Sequence, residues 1–229
     1  MNPDAVIFDL DGVLLDSEPR WNEAKEALVR ETGGSWRDDA PRVMMGMSSL
    51  EWSRYLRDEL SVPMEVDAIS REVVRRMREG YQRELPLLPG AGEAVESLGE
   101  RWPLGLASSS NREIIDLVLE LTGFGAVFRA AISSEEVARG KPAPDVYLET
   151  ASRLGVDSTG CVAIEDSSNG MRSAAAAGMA MIAVPNPHYP PSDDALALAA
   201  ATVEVVGDVT AGLVESVPEP PRVRVRLDG

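Results

Sequence analysis

The sequence predicts a doubly wound α/β fold, in which a Rossmann-like parallel sheet carries an inserted α-helical cap domain. Apolar runs of strand length recur along the chain as AVIFDL, PLGLASS, CVAIED and MAMIAVP, and a helical pattern follows each of them. Strands that alternate with helices form parallel sheets with right-handed crossovers. Between the first and second runs, residues 18–86 have apolar side chains at helical spacing, which indicates a helical insertion.

The first strand ends in two carboxylates, Asp9 and Asp11. Side chains two residues apart on an extended backbone point to the same side, so Asp9 and Asp11 share a face while Leu10 points into the core. Two anions sheltered from water repel each other unless a cation or a shared proton relieves them. The pair therefore predicts a site that holds positive charge or a proton, and an acidic turn that closes a hairpin is the alternative.

The insertion after this strand contains three groups of helically spaced apolar residues. They are Trp21, Ala24 and Leu28, then Trp52, Tyr55, Leu56 and Leu60, then Ile69, Val73, Met77 and Tyr81. Proline-containing segments, LLDSEP and ELPLLPG, join the insertion to the rest of the chain. We predict a core domain of residues 1–17 and 87–229, and a cap of residues 18–86 that opens and closes over the sheet edge on two linkers.

Polar residues also follow the second and third strands. PLGLASS leads into residues 108–111, and CVAIED ends in Glu165 and Asp166. Ligands of doubly wound sheets bind at the carboxyl ends of the strands. We therefore expect these polar residues to meet the first acidic pair at one edge of the sheet. The tail, residues 218–229, reads as an edge strand or a frayed end.

The charge and composition exclude several classes of partner. The 229 residues contain 22 basic and 38 acidic side chains, a formal net charge of −16, which disfavours polyanions such as nucleic acids and anionic membranes. No apolar run approaches the roughly 18 residues that a membrane helix needs. We expect a cytoplasmic protein, monomeric or weakly dimeric, with no nucleic-acid or membrane partner.

The single cysteine and the single histidine exclude other chemistries. Cys161 opens an apolar strand without the phosphate-binding loop that a cysteine-dependent phosphatase needs, so we interpret it as a core residue. One histidine makes a Ser-His-Asp triad or a multi-histidine metal site improbable. His188, in PNPHYPP, is interpreted as a loop residue.

Four segments in order, DLDGVLLDS, LASSSN, KPAPDVYL and AIEDSSNGMRSAAAAGM, resemble the four signatures of the haloacid dehalogenase superfamily. The insertion is similar to that of the branch containing β-phosphoglucomutase and small sugar-phosphate phosphatases. The resemblance implies that Asp9 attacks phosphorus to form an aspartyl-phosphate and that Asp11 protonates the leaving oxygen. It also implies Mg²⁺ held by Asp9, the backbone carbonyl of Asp11 and Asp166, with Glu165 in support directly or through water.

The same resemblance implies a phosphate-binding site. Ser108, with Ser109 and the N–H groups at the start of the following helix, would hold the phosphate oxygens, and Asn111 would assist. Lys141 would neutralise the phosphate charge, and Gly12 would supply tight backbone beside the metal. Taken alone, SSSN is equally a helix cap and Lys141 a surface lysine.

The cap is expected to select the substrate. β-Phosphoglucomutase has a His, a Lys and an Arg in its cap where this chain has Trp21, Met45 and Ser49. A mutase must bind a second phosphate, and the loss of these cations favours hydrolysis. We therefore predict a Mg²⁺-dependent phosphatase of a small phosphorylated metabolite, such as a sugar phosphate, with Trp21, Met45 and Ser49 lining the leaving-group site. The same apolar residues would equally serve as cap core.

Four alternatives remain. A mutase would use Arg20, Arg42 and Arg54 for the second phosphate. A phosphonatase would need an imine-forming cap lysine, but Lys25, the only cap lysine, is expected on a solvated helix face. Dehalogenases of this family have no aspartate at the position of Asp11, so the presence of Asp11 argues against a dehalogenase. A non-catalytic binding protein on the same scaffold would not need the complete set of acidic and basic residues found here.

Overall fold

A parallel sheet of six strands forms the centre of the computed structural model, which describes residues 2–45 and 47–218. The strands are β1 (Ala5–Phe8), β2 (Leu104–Ser108), β3 (Phe128–Ser133), β4 (Cys161–Glu165), β5 (Ala180–Ala183) and β6 (Ala201–Thr202). They lie in the order β3-β2-β1-β4-β5-β6. The order reverses between β1 and β4, which is the switch point where doubly wound sheets bind ligands. The predicted fold class is confirmed.

The described part of the chain contains ten α-helices. Between β1 and β2 lie α1 (Glu18–Glu31), α2 (Ala40–Met44), α3 (Ser49–Asp58), α4 (Val66–Arg83) and α5 (Ala91–Gly99). The others are α6 (Arg112–Thr122), α7 (Asp145–Leu154), α8 (Ser168–Ala176), α9 (Asp193–Leu196) and α10 (Ala211–Ser216). Short 3₁₀ helices cover Phe124–Ala126, Ser134–Glu136, Ser158–Gly160 and Val206–Asp208. No helix among these residues is long and apolar enough to span a bilayer.

Strand β1 is buried on both faces, as its uninterrupted apolar sequence predicts. Val6 and Phe8 join one hydrophobic cluster, while Ala5 and Ile7 join the cluster on the opposite face. Fully burying a side chain such as that of Phe8 stabilises the fold by about 1.5–3 kcal/mol relative to leaving it exposed. The two clusters therefore hold β1 at the middle of the sheet.

The register of β1 aligns the ends of three strands. Phe8 pairs with Leu106 of β2 and with Ile164 of β4. The next residue, Asp9, donates its backbone N–H to the carbonyl oxygen of Ile164 at 3.0 Å. The polar residues that follow these strands therefore meet at one edge, as expected from the parallel arrangement.

Two helices begin directly at this edge. Asn111 is the residue before α6, and Ser167 is the residue before α8. The Ser167 hydroxyl accepts the backbone N–H of Gly170 at 3.1 Å, which satisfies one of the free N–H groups of the first turn of α8. The turn from β4 into α8 is therefore short, and it holds Asp166 at the edge.

The two linkers of the insertion run side by side. Asp16 donates its N–H to the carbonyl oxygen of Pro86 at 2.8 Å, and Leu88 donates to that of Leu14 at 2.9 Å. Helices α1 to α4 lie between the linkers. We keep 17/18 and 86/87 as the proposed domain boundaries and use "cap" for residues 18–86.

Several elements differ from the sequence-based expectation. Strands β3 and β6 were not predicted, because Arg129 is exposed and interrupts the apolar run of β3, an edge strand, and β6 has two residues. Helix α2 was also missed. Cys161 is buried and His188 lies in an exposed loop, as interpreted from the sequence. The predicted edge strand of the tail falls almost entirely in residues 219–229, outside the described chain.

Candidate active site

A buried ion-pair network lies at the end of β1. The ammonium nitrogen of Lys141 is 2.9 Å from Oδ1 of Asp9 and 2.6 Å from Oε1 of Glu165. Tyr147 donates its hydroxyl to the same Glu165 oxygen at 2.8 Å. Burial would lower the pKa of Lys141, but the adjacent Asp9 and Glu165 carboxylates raise it above its ordinary value. Lys141 is thus a permanent positive charge, not a surface lysine.

Three buried carboxylates, those of Asp9, Glu165 and Asp166, surround one point. Each offers an oxygen within 4.8 Å of the others. Burial raises the pKa of Asp9 to about 8, and burial with the charges of Glu165 and Asp9 raises the pKa of Asp166 well above its ordinary value. One lysine charge does not balance three carboxylates.

This carboxylate cluster fits a hard divalent cation. No described residue donates a hydrogen bond to the Asp166 carboxylate, although that side chain is buried. Oxygen ligands of this kind suit Mg²⁺. By contrast, both Glu165 oxygens already accept hydrogen bonds, Oε1 from Lys141 and Tyr147 and Oε2 from the backbone N–H of Asp166 at 3.1 Å. Asp9 and Asp166 are therefore freer than Glu165 to bind an ion.

Two glycines allow the carboxylates to approach the backbone. Gly12 has φ +80°, and a Cβ there would lie 1.9 Å from Oδ2 of Asp166. A Cβ at Gly170 would lie 1.8 Å from Oε1 of Glu165. Any larger residue would displace these carboxylates, so Gly12 does supply the tight backbone that its motif implies.

Asp11 occupies a different environment from Asp9. The strand ends at Phe8, so the extended geometry used to place both carboxylates on one face does not persist to Asp11. Its side chain is outside the carboxylate cluster and accepts hydrogen bonds from Trp21 Nε1 at 3.2 Å and from Ser110 Oγ at 2.6 Å. One carboxylate thus faces Lys141, and the other faces the cap.

The loop after β2 connects the core to the cap. Ser108 is fully buried, and its hydroxyl accepts the N–H of Ser110 at 2.9 Å. The Asn111 side chain accepts the Ser49 hydroxyl at 2.8 Å and donates to Oε1 of Glu135 at 2.6 Å. A hydrogen-bond chain therefore crosses from α3 of the cap, through Asn111, to the core.

A cavity of about 70 Å³ lies between the cap and the sheet edge. Nine sequence-predicted site residues line it: Asp9, Asp11, Trp21, Met45, Ser49, Ser109, Asn111, Lys141 and Asp166. Ser108 and Glu165 lie behind this surface and are fully buried. Trp21 and Trp52 line the cavity and also belong to the cap core, and contact between Trp21 and a leaving group stays a prediction.

The expectation that Lys25 lies on a solvated helix face is wrong. Lys25 is 5% exposed and lines the cavity. Its ammonium nitrogen is 5.3 Å from the ring centroid of Trp21 and 5.2 Å from that of Trp52. Burial lowers the pKa of Lys25. The signal was present in the sequence, because Lys25 is four residues after Trp21 and therefore shares its helix face.

Other site residues were missed. Tyr147, within the KPAPDVYL segment, orients Glu165, and Ser110, within LASSSN, holds Asp11. Helical spacing could have placed neither contact, because each joins residues far apart in the chain. Glu18, the first residue of α1, also lines the cavity.

Comparison with known proteins agrees with this geometry. Hexitol phosphatase B of Escherichia coli K12 is 39% identical over 189 residues, which cover 80% of this chain and 84% of that protein. CbbY from Rhodobacter sphaeroides in complex with xylulose-(1,5)bisphosphate has a TM-score of 0.81 at 22% identity, over 93% of this chain and 99% of that one. β-Phosphoglucomutase from Clostridium difficile has a TM-score of 0.80 at 22% identity, over 93% and 96%. At these identities the two structures establish the fold alone.

The family itself is established by sequence. The model of the family described as haloacid dehalogenase-like hydrolase matches residues 6–184. That range contains all four signature segments and both sides of the cavity. The superfamily and branch identified from the sequence are confirmed, and the chain belongs to the haloacid dehalogenase-like hydrolases.

Proposed function

We propose that the chain is a Mg²⁺-dependent phosphatase that hydrolyses a small sugar or polyol phosphate through an aspartyl-phosphate on Asp9. The observation that carries this proposal is the separation of two neighbouring carboxylates. Asp9 lies against Lys141 in the buried cluster, and Asp11 faces the cap with its own hydrogen-bond donors. Such different environments suit a nucleophile and an acid, respectively.

In the first step, a carboxylate oxygen of Asp9 attacks phosphorus while the bond from phosphorus to the ester oxygen breaks. Lys141, next to Asp9, reduces the repulsion between the nucleophile and the phosphate oxygens. Protonated Asp11 gives its proton to the departing oxygen, so that the leaving group departs as an alcohol. The products of this step are the free alcohol, phosphorylated Asp9 and ionised Asp11.

In the second step, water attacks phosphorus of the acyl phosphate, and Asp11 takes its proton. The bond between phosphorus and the Asp9 oxygen breaks, which releases phosphate and regenerates both carboxyl groups. Trp21 and Ser110 hold Asp11 in both steps, because a carboxyl group accepts their hydrogen bonds in either protonation state.

Mg²⁺ would be held by Asp9, Asp166 and the backbone carbonyl of Asp11. When bound, it offsets the negative charge that phosphate and nucleophile bring together. The Glu165 oxygens already accept hydrogen bonds from protein donors. Glu165 would therefore lie beside the ion and orient Lys141. We expect the cap to open when a phosphorylated sugar enters the cavity of about 70 Å³.

Phosphate release from a panel of sugar, polyol and nucleotide phosphates tests the function. We expect release with Mg²⁺, none with chelator, and a loss of at least about 1,000-fold in Asp9→Asn, which removes the nucleophile. Asp38→Asn, an exposed cap carboxylate, is the matched control. Acid-quenched wild type should carry phosphate on the peptide that contains Asp9. Normal turnover by Asp9→Asn would contradict the proposal.

One observation supports the mutase alternative, because the cationic Lys25 lines the cavity. The arginines first considered for a second phosphate do not line it: Arg20 pairs with Glu23 and Glu84, and Arg42 and Arg54 are exposed. Glucose 1-phosphate assayed for isomerisation as well as for phosphate release separates the two functions. Isomerised product without free phosphate would favour the mutase.

A further inference from the structure

Lys25 and Lys141 are the only lysines of the chain, and both line the cavity. Lys141 is committed to Asp9 and Glu165. Lys25 projects from α1 of the cap, on the other side of the cavity from the buried carboxylate cluster. The proposed reaction uses Lys141 and leaves Lys25 without a role.

The ammonium group of Lys25 lacks acceptors. Among the described residues, none forms a hydrogen bond or an ion pair with it, and its close neighbours are the rings of Trp21 and Trp52. Two indole faces attract a cation but accept none of its three N–H bonds in ordinary hydrogen-bond geometry. A buried ammonium with free donors is unfavourable unless a ligand supplies oxygen atoms. Oxygen atoms of a substrate that enters the cavity can therefore take up these free donors.

The surrounding charge decides which acceptors fit. Glu18 and Asp11 line the same cavity, and their charges act on Lys25. A second phosphate bound to Lys25 would meet the Glu18 carboxylate, and a single ammonium lacks the planar fork with which arginine binds phosphate. Neutral hydroxyl oxygens encounter no such repulsion. The indole faces also offer an apolar surface to the C–H edges of a sugar or polyol.

We propose that Lys25 selects a neutral, hydroxyl-bearing leaving group by donating hydrogen bonds to its hydroxyl oxygens against the wall formed by Trp21 and Trp52. This inference rests on the proposed phosphatase function and adds to it a substrate-selecting residue in the cap. It also limits the substrates to sugar or polyol monophosphates, as opposed to bisphosphates.

Lys25→Met tests the inference, because methionine keeps the length and apolar stem of lysine but removes its charge and donors. Two substrates are compared: glucitol 6-phosphate, whose leaving group is a polyol, and p-nitrophenyl phosphate, whose leaving group has no further hydroxyl. We expect kcat/KM for glucitol 6-phosphate to fall about 10- to 100-fold, as for loss of a charged hydrogen bond, and that for the aryl phosphate by less than about threefold. Arg71→Met, which removes an exposed cap charge, should leave the ratio unchanged.

Three kinetic outcomes would overturn the inference. The first is an unchanged ratio in Lys25→Met. The second is an equal loss on both substrates, which would indicate a role in cap packing. The third is a wild-type preference for a sugar bisphosphate that Lys25→Met abolishes, which would assign Lys25 to a second anion. A wild type that hydrolyses no phosphate monoester would instead refute the proposed function.

A second measurement needs no turnover. Protein labelled with ¹⁵N-lysine has two Nζ signals, and Lys25→Met identifies the one from Lys25. Glucitol added with inorganic phosphate should shift the Lys25 signal, whereas ethylene glycol at the same concentration should not. No shift with glucitol at saturating concentration would overturn the inference even if hydrolysis is observed.

Discussion

The indole N–H of Trp21, in the cap, donates a hydrogen bond of 3.2 Å to Oδ1 of Asp11, in the core. The proposed acid is therefore held from two sides, since Ser110 of the core binds its other oxygen at 2.6 Å. Opening of the cap would remove the Trp21 contact. We therefore propose that the orientation of Asp11 is coupled to closure of the cap over the substrate.

Trp21→Phe should lower kcat on alkyl phosphates about five- to tenfold, because one positioning hydrogen bond to the acid is lost while the ring remains. The effect on p-nitrophenyl phosphate should be smaller, since that leaving group needs less help from an acid. Steady-state kinetics on both substrates measures this difference. Trp36→Phe, a cap tryptophan that does not line the cavity, is the control. Equal losses on both substrates would contradict a positioning role.

Lys141→Met should reduce kcat/KM at least about 1,000-fold and destabilise the fold by about 3–5 kcal/mol, because removal of one partner leaves buried carboxylates unpaired. The destabilisation should shrink as the pH falls, since Asp9, whose pKa burial raises to about 8, can then take up a proton. Denaturant unfolding at pH 5 and pH 8 measures it. Arg129→Met, an exposed residue of β3, should change neither quantity. A stable, active Lys141→Met enzyme would refute the assigned role.

Gly12→Ala should weaken Mg²⁺ binding, because the added Cβ would lie 1.9 Å from Oδ2 of Asp166. Gly33 is a matched control, since it has a similar φ of +78° but no atom within 4 Å of an added Cβ. Gly33→Ala should therefore show only the backbone strain of about 1–3 kcal/mol. Mg²⁺ titration followed by thermal unfolding separates the two effects. Equal Mg²⁺ affinity in the two variants would show that Asp166 is not an ion ligand.

Mg²⁺ should stabilise the protein more at pH 8 than at pH 6. Without the ion, the folded state holds a proton on Asp9, whose pKa is raised to about 8, while the unfolded chain releases it near pH 4. The folded state thus binds more protons than the unfolded state over this range, and metal-free stability from this group falls as the pH rises. The ion must displace that proton at pH 6, at up to about 1.4 kcal/mol per pH unit below the pKa.

Melting temperatures with Mg²⁺ and with chelator, measured at pH 6, 7 and 8, test this linkage. The difference between the two conditions cancels titrations elsewhere in the chain. It should grow as the pH rises from 6 to 8. A difference that stays constant or declines with pH would show that the ion does not bind at the carboxylate of Asp9.

Much of the core could be predicted from local sequence. The four predicted strands are present because each is a short apolar run followed by a polar turn, and this pattern is set by burial alone. Asp9 and Asp166 could be placed in one site since parallel strands end at a common edge, whereas Lys141 was placed there only by the family resemblance. Strand β3 could not be recognised in the sequence, because the exposed Arg129 interrupts the apolar run of this edge strand as a polar residue of a loop would.

The cap side of the site was harder to predict, because its chemistry depends on contacts between distant segments. Lys25 is buried only because Trp52 of α3 packs against the face of α1 that carries it. Similarly, Oε1 of Glu165 is occupied because Tyr147 and Lys141 approach from outside β4. Helical spacing identifies which residues share a face but not what covers that face.

Phe8 pairs with Leu106 on one side and with Ile164 on the other. This register determines both how the sheet packs and where the site residues lie. A slip of β1 by one residue would turn Phe8 into the hydrophobic cluster on the opposite face, where Ala5 and Ile7 pack, and would carry Asp9 away from Lys141 in the same movement. Packing of the sheet and the position of the Asp9 carboxylate therefore depend on a single register.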